Sequence, residues 1–465
     1  MIRLTVLSGL GHVVFVAVGL LVYVMTTRIG HQRRHPSAAM GWVLGIVAFP
    51  YLFVPLFLLF GTRKLARPVR HASAPAQAWP GEGPPWATRL LASMELAPAV
   101  RNHSIVMHAD GGQALQGLLA TIASARQRLD VCTYILAHDE VGDQVAQAML
   151  QCVRRGVTVR LLVDAIGSLR TPPRMLRALR RQGVQVRRFM PLLHNPLHGR
   201  TNLRNHRKLA VADGQRLWSG GRNLASEYFE GRPGQPAWVD LSYEIHGPLA
   251  AQAQARFATD WRVASGIRLR KGQLLRAPHA QPVPPVTGPL AQWLPSGPDH
   301  ADDTVHALLL AAAYHAQRRI VAVTPYFVPD DALLDAWCLA CRRGVQVSLL
   351  VPACSNHWLA DTARERALRE LTAAGAQVWL SPAMVHAKAV LIDDDLALAG
   401  SLNLDARSLF LNYEAMTAFY DPQQLHWMSE WSAQLIAAAH PYAARRPSWG
   451  RDILEGVVRA VGFQL

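Results

Sequence analysis

The chain has 465 residues, half of them hydrophobic, with 48 Lys and Arg against 32 Asp and Glu for a formal charge of +16. That length exceeds one small domain and suits two ordinary units plus extras. The charge points to anionic partners, either nucleic acid or the phosphate face of a membrane. Five cysteines (Cys132, Cys152, Cys338, Cys341, Cys354), an odd number scattered through apolar segments, exclude a disulfide-framed scaffold. Cys338 and Cys341 have C-x-x-C spacing within a helical run that lacks a second pair, so they read as buried small side chains rather than zinc ligands.

Over residues 4–24 the only strongly polar side chains are Ser8 and His12, and residues 38–60 carry no charge. Each run is long enough to cross about 30 Å of hydrocarbon as a helix. Thr26, Thr27 and Arg28 follow the first run where a cleaved signal would have a small-residue site, so two retained spans are predicted, a transmembrane hairpin over residues 1–62. The connector, residues 28–36, carries Arg28, Arg33 and Arg34. Arg3, Arg63, Lys64, Arg67 and Arg70 outnumber these, which by the positive-inside tendency puts both ends of the hairpin, and all that follows, in the cytoplasm. Gly41-x-x-x-Gly45 is a signal for close helix packing.

A Pro- and Gly-rich linker is expected over residues 63–100, and a second, with Pro278, Pro282, Pro284, Pro285 and Pro289, over 268–289. They delimit two halves of similar length, 101–267 and 290–440. A tail, 441–465, contains "DILEGVVRAVGF", whose apolar spacing suits an interfacial or a packed terminal helix.

The halves repeat each other. "RRGVTVRLLVDAIGS" (154–168) matches "RRGVQVSLLVPACSN" (342–356), "LRALRRQGVQVRRF" (176–189) matches "LRELTAAGAQVWLS" (368–381), and "VCTYI" (131–135) parallels "VTPYF" (323–327). Alternating helix and strand, duplicated in this way, predicts an α/β fold of two helix-flanked sheets.

Next in each copy comes a histidine motif: "NHRKLAVADGQRLWSGGRN" (205–223) and "VHAKAVLIDDDLALAGSLN" (385–403). His206, Lys208 and Asp213 correspond to His386, Lys388 and Asp393, and the interval from histidine to the later asparagine is identical, 223 − 206 = 17 and 403 − 386 = 17. Random basic strands do not hold histidine, lysine, aspartate, glycine (Gly220 and Gly400) and asparagine in common phase. Strand alternation puts His206 and Lys208 on one face, and likewise His386 and Lys388, with the intervening residue pointing away. Two such pairs facing each other suit one phosphodiester. One imidazole attacks phosphorus and the other protonates the departing oxygen, while the lysines and Asn223 and Asn403 stabilise the non-bridging oxygens. Asp240 and Glu414, each on an apolar strand downstream of its own motif, are candidates to orient the histidines. Asp213 and Asp393, counted with the catalytic motifs, start turns, and a structural role is expected for them. No metal or cofactor is predicted, because no carboxylate or His/Cys cluster has ligand spacing near the motifs.

The motifs, their asparagine spacing and the duplication resemble the phospholipase D superfamily, and stretches such as "GGRNLASEYF", "TPYFVPDDALL" and "GSLNLDARSLFLNYE", with the N-terminal apolar pair, resemble its bacterial cardiolipin synthases over nearly all of residues 1–440. The resemblance implies two α/β halves sharing one active site. It also implies transfer of a phosphatidyl group from one phosphatidylglycerol to another with release of glycerol, at the bacterial inner membrane. By the same resemblance His206 is the nucleophile and His386 the acid and then the base; the sequence itself does not order them. A hydrolase of the superfamily would let water resolve the intermediate. A nuclease would share the motifs but has no need of membrane spans, and a scaffold would not keep every catalytic position in both halves. The expected partners are therefore phosphatidylglycerol, other anionic phospholipids and the membrane, not nucleic acid.

Overall fold

A computed structural model describes residues 2–29, 36–61, 82–191, 202–265 and 286–462. Residues 30–35 of the expected connector, residues 63–81 of the first expected linker with Arg63, Lys64, Arg67 and Arg70, and residues 268–285 of the second lie outside the described residues.

The first half is a seven-stranded sheet: β1 (Ser104–His108), β2 (Arg128–Thr133), β3 (Thr158–Asp164), β4 (Gln185–Phe189), β5 (Leu209–Ala212), β6 (Arg216–Gly220) and β7 (Ser242–His246). Its order is β1-β7-β6-β5-β2-β3-β4. The parallel strands β2, β3 and β4 are joined by crossover helices, and β5–β6–β7–β1 are antiparallel. The central strands are apolar on both faces because helices and the other half cover both. Helices Gly111–Ser124 (α4) and Glu140–Arg154 (α5) begin at side-chain caps, Asp110 accepting from the Gln113 amide at 2.8 Å and Asp139 from that of Gly142 at 3.0 Å.

The second half repeats this. Strands β8 (Leu290–Ser296), β9 (Arg319–Val323), β10 (Gln346–Pro352), β11 (Gln377–Ser381), β12 (Ala389–Ile392), β13 (Leu396–Gly400) and β14 (Glu414–Phe419) run in the order β8-β14-β13-β12-β9-β10-β11, strand for strand the order of the first sheet. Two short strands extend it: Val100–Arg101 pairs with β8, and His440–Pro441 with β11. The helix Pro85–Ser93 buries Ala87 and Leu91 in the second half's core, so part of the stretch expected as a 63–100 linker is built into the far half. A core of Leu209, Tyr243, Trp293, Leu350, Phe419 and their neighbours is shared by the two sheets, and the Tyr243 hydroxyl bonds Thr417 Oγ1 at 2.7 Å across it.

The N-terminal apolar runs depart from expectation. The first is one helix, α1 (Ile2–Val24), and residues 10–27 contain the only window among the described residues long and apolar enough to cross a membrane. The second is not a single span. It breaks at Phe49 into α2 (Pro36–Ala48) and α3 (Pro50–Phe60), because Pro50 cannot donate to a continuing helix and instead starts a new one. The terminal helix Trp449–Gly462 contacts the helix Trp358–Ala373 and α2. Its Glu455 pairs with Arg369 at 2.6 Å, while Trp449, Ile453 and Leu454 stay exposed.

Candidate active site

His206 stands just before β5 and His386 just before β12, and the loops that carry them dock on the opposite half. The His206 amide donates to the Tyr413 carbonyl at 2.9 Å and the Tyr413 amide to the Arg204 carbonyl at 2.8 Å. Symmetrically, the His386 amide donates to Val239 at 2.7 Å and Val239 to Met384 at 2.9 Å. These two bridges set the residue after each partner, Glu414 and Asp240, beside the foreign histidine.

The carboxylates therefore cross. His206 Nδ1 is 3.0 Å from Glu414 Oε1, and His386 Nδ1 donates to Asp240 Oδ2 at 2.6 Å. Glu414 is held by Ser401 Oγ at 2.5 Å and Asn412 Nδ2 at 3.2 Å. Asp240 accepts from the Leu241 amide, and Gly221 has no side chain because a Cβ there would run into the Asp240 carboxylate. With each Nδ1–H committed to a carboxylate, each lone pair lies at Nε2.

Burial dominates the electrostatics. It lowers His206 below the ordinary imidazole range, with Glu414 opposing and Lys208 adding. It takes His386, which also sits beside Lys388, down to about 3. Burial likewise lowers Lys208 to about 7 and Lys388 to about 8, against the pull of the carboxylates. For Asp240 burial works upward but is outweighed by His386 and Lys388, which hold the carboxyl at about 2; burial also opposes the lowering of Glu414 by His206. Each site is thus a neutral imidazole on an ionised carboxylate. The lysines lie behind the histidines: Lys208 Nζ donates to the His206 carbonyl at 2.6 Å, and Lys388 Nζ bonds the His386 carbonyl and lies 3.0 Å from Nε2. Arg207, between His206 and Lys208, points the other way, pairs with Asp260 of its own half (2.7 Å) and ties the halves together through the Glu414 carbonyl (2.9 Å) and the Ser296 carbonyl (2.9 Å).

Both histidines, Asn223 and Asn403 line one cavity of about 280 Å³. Asn223 accepts from the Ile135 amide at 3.3 Å through its carbonyl, and its side chain also bonds Tyr228 at the cavity wall. Tyr134 stands edge-on to His206 and Tyr228 to His386, both with centroids 4.9 Å apart. Sequence reasoning assigned these tyrosines no role, although the match of "VCTYI" to "VTPYF" had aligned Tyr134 with Tyr326, which also lines the cavity. Tyr228, Arg204 and Arg407 gave no repeat signal.

Asp213 and Asp393 do not belong to this cluster. Each sits at positive φ (53° and 46°) at the far end of its strand. Asp213 accepts the amides of Arg126, Gln127 and Arg128 at 2.7–2.9 Å, and Asp393 those of Gln317, Arg318 and Arg319 at 2.8–2.9 Å. Counting them as catalytic is corrected by this geometry, since both carboxylates are consumed in fastening the β5–β6 and β12–β13 turns to the neighbouring strand. No group of three His, Cys, Asp or Glu among the described residues is arranged to hold a metal ion.

The family described as cardiolipin synthase, PLD-like domain, matches residues 118–261 and 309–436, one match per half. Cardiolipin synthase A of Shigella boydii serotype 4 is 30% identical over 474 aligned residues, covering 93% of this chain and 94% of that protein, and the Escherichia coli O1:K1 / APEC protein of the same name matches to the same extent. In fold, the phosphatidylserine synthase of Haemophilus influenzae Rd KW20 superposes with a TM-score of 0.64 at 16% identity, over 82% of this chain and all of that one. With both halves matched by one family and the whole chain paralleled by its full-length relatives, the protein belongs to the cardiolipin synthase family of phospholipase D-like enzymes.

Proposed function

We propose that this phosphatidyltransferase joins two molecules of phosphatidylglycerol into cardiolipin and glycerol, at the inner membrane of a bacterium with the catalytic halves in the cytoplasm. The observation that carries the reading is the pair of crossed histidine–carboxylate contacts facing one cavity with two asparagines. His206 Nε2 attacks the donor phosphorus, and the P–N bond forms as the P–O bond to the glycerol headgroup breaks. His386 passes its proton to that departing oxygen. The hydroxyl of the second phosphatidylglycerol then gives its proton to His386 while its oxygen attacks phosphorus, the P–N bond breaks and His206 is free again. Lys208, Lys388, Asn223 and Asn403 meet the charge on the non-bridging oxygens.

His386 is neutral without substrate charge beside it, and the negative phosphodiester arriving in front of the histidines supplies the counter-charge that lets an imidazolium form. The acid is thereby armed by the substrate it acts on. Mass spectrometry of lipids made by the purified protein from phosphatidylglycerol tests the reading. Cardiolipin with stoichiometric glycerol is expected; phosphatidic acid as the sole product would make the enzyme a hydrolase.

A further inference from the structure

We propose that residues 36–60 form a re-entrant hairpin in the cytoplasmic leaflet and that the chain crosses the membrane once, through α1, with the N-terminal end of α1 outside. The inference rests on the cytoplasmic placement of the catalytic halves above and adds how they are anchored.

Ring and methyl contacts give the direction of each helix. Phe15 meets Tyr51 at 4.7 Å between centroids and Tyr23 meets Phe57 at 5.1 Å, so α3 runs parallel to α1. Trp42 meets Phe57 at 5.3 Å, and a Cβ at Gly45 would run into the ring of Phe53, so α2 runs back along α3 in the opposite sense. Gly19 faces both Ile46 and Val54. The chain therefore leaves α1 at its C-terminal end, returns along it as α2, turns at Phe49 and comes back as α3. Gly61 lies at the same end as the residues that follow Val24.

The lengths agree. At 1.5 Å per residue, the 23 residues of α1 extend about 35 Å, whereas the 13 of α2 and 11 of α3 extend about 20 and 16 Å. Against about 30 Å of hydrocarbon, α1 spans and the hairpin reaches roughly halfway. Its turn lies level with His12 and Phe15, near the middle of α1. A non-helical turn at that depth must satisfy its backbone. Here the Phe49 amide donates to Gly45 at 2.8 Å, the Phe49 carbonyl accepts from Leu52 and Phe53, and Pro50 has no N–H to leave unpaired. Met40, Leu44, Val47, Phe49 and Leu52 are exposed on the hairpin, a surface for acyl chains continuous with the spanning helix.

The charge pattern of the sequence sharpens under this arrangement. With two crossings the basic residues divide five (Arg3, Arg63, Lys64, Arg67, Arg70) against three (Arg28, Arg33, Arg34). With one crossing Arg28, Arg33, Arg34, Arg63, Lys64, Arg67 and Arg70, seven residues, share one side and Arg3 alone takes the other. The positive-inside tendency then favours the cytoplasm for that side decisively.

The test uses the full-length chain in spheroplasts, with Cys354→Ser to remove the exposed thiol and one of Ile2→Cys, Gln32→Cys or Leu65→Cys added. A membrane-impermeant maleimide is expected to label the position-2 variant in intact spheroplasts and the position-32 and position-65 variants only after permeabilisation. Labelling of position 32 from outside with position 2 protected would restore two crossings and overturn the proposal. Protection of all three with release by alkaline carbonate would overturn it as well, by removing the span. Cardiolipin formation by each variant is scored separately, so an active variant with position 32 outside sinks the hairpin and leaves the reaction standing.

Discussion

His206 Nδ1 meets Glu414 Oε1 at 3.0 Å across 208 residues of sequence, and the reciprocal contact between His386 and Asp240 makes the exchange complete. Each half supplies the histidine of one site and the carboxylate of the other. Glu414→Gln is therefore expected to impair the step that His206 performs, lowering kcat by about 10²–10⁴-fold with loss of covalent labelling, as removal of an orienting carboxylate does elsewhere. Asp240→Asn should instead reproduce the His386 defect. Rapid-quench labelling of the two variants checks the assignment, and an exchange of the two phenotypes would mean that the carboxylates serve their own halves.

The order of the histidines predicts a dependence on the leaving group. His206→Ala should give no phosphatidyl label with any substrate, since the attacking nitrogen is gone. His386→Ala should label poorly from phosphatidylglycerol, whose glycerol alkoxide departs badly without a proton, and much better from an analogue that releases an acidic phenol. Acid-labile label on His386 in the His206→Ala protein would reverse the roles.

Asp213 and Asp393 should matter for stability and not for chemistry. Asp213→Ala orphans three amides and places a β-carbon residue without a local acceptor at φ 53°, which is expected to cost about 2–4 kcal/mol. Asp213→Asn, which tolerates that backbone and keeps one acceptor oxygen, should lose less. Thermal unfolding together with kcat measured well below the transition separates the two effects; a kcat loss above about tenfold in still-folded Asp213→Ala would return this residue to the reaction.

Lys388 sets a pH dependence of folding. Its folded value is about 8 against an ordinary 10.5, so between those pH values the unfolded chain holds a proton that the folded chain releases. Stability contributed by this group is greatest above pH 10.5 and falls as pH drops to about 8, by on the order of 3 kcal/mol. Urea unfolding of the wild type and Lys388→Met from pH 7.5 to 10 should show a steeper rise with pH in the wild type; parallel curves would place the Lys388 charge in a more solvated setting.

Much of the site could be read in the sequence because it is encoded by repetition. His206, Lys208 and Asn223 recur as His386, Lys388 and Asn403 at fixed spacing within strand patterns that also recur, and spacing along a strand survives folding unchanged. Tyr134 carried the same kind of signal through its match with Tyr326, but an aromatic residue in an apolar strand reads first as core. Tyr228, Arg204 and Arg407 have no counterpart in phase and belong to the cavity only because loops from different places in the chain converge there.

What the sequence determined by itself was thus everything carried by local periodicity: two α/β halves, the histidine and asparagine positions, the apolar N-terminal runs and the turns at Asp213 and Asp393. Which carboxylate serves which histidine was a tertiary decision, made by the bridges from Tyr413 to Arg204 and His206 and from Val239 to Met384 and His386, because docking two halves face to face brings each strand end to the partner's histidine rather than its own. The fate of residues 36–60 was decided in the same way. Hydropathy measures how apolar a segment is and cannot register that Pro50 ends one helix and begins another, nor that Gly45 lets α2 fold back on α3 and Gly19 lets the pair pack on α1 at separations no larger side chain would allow.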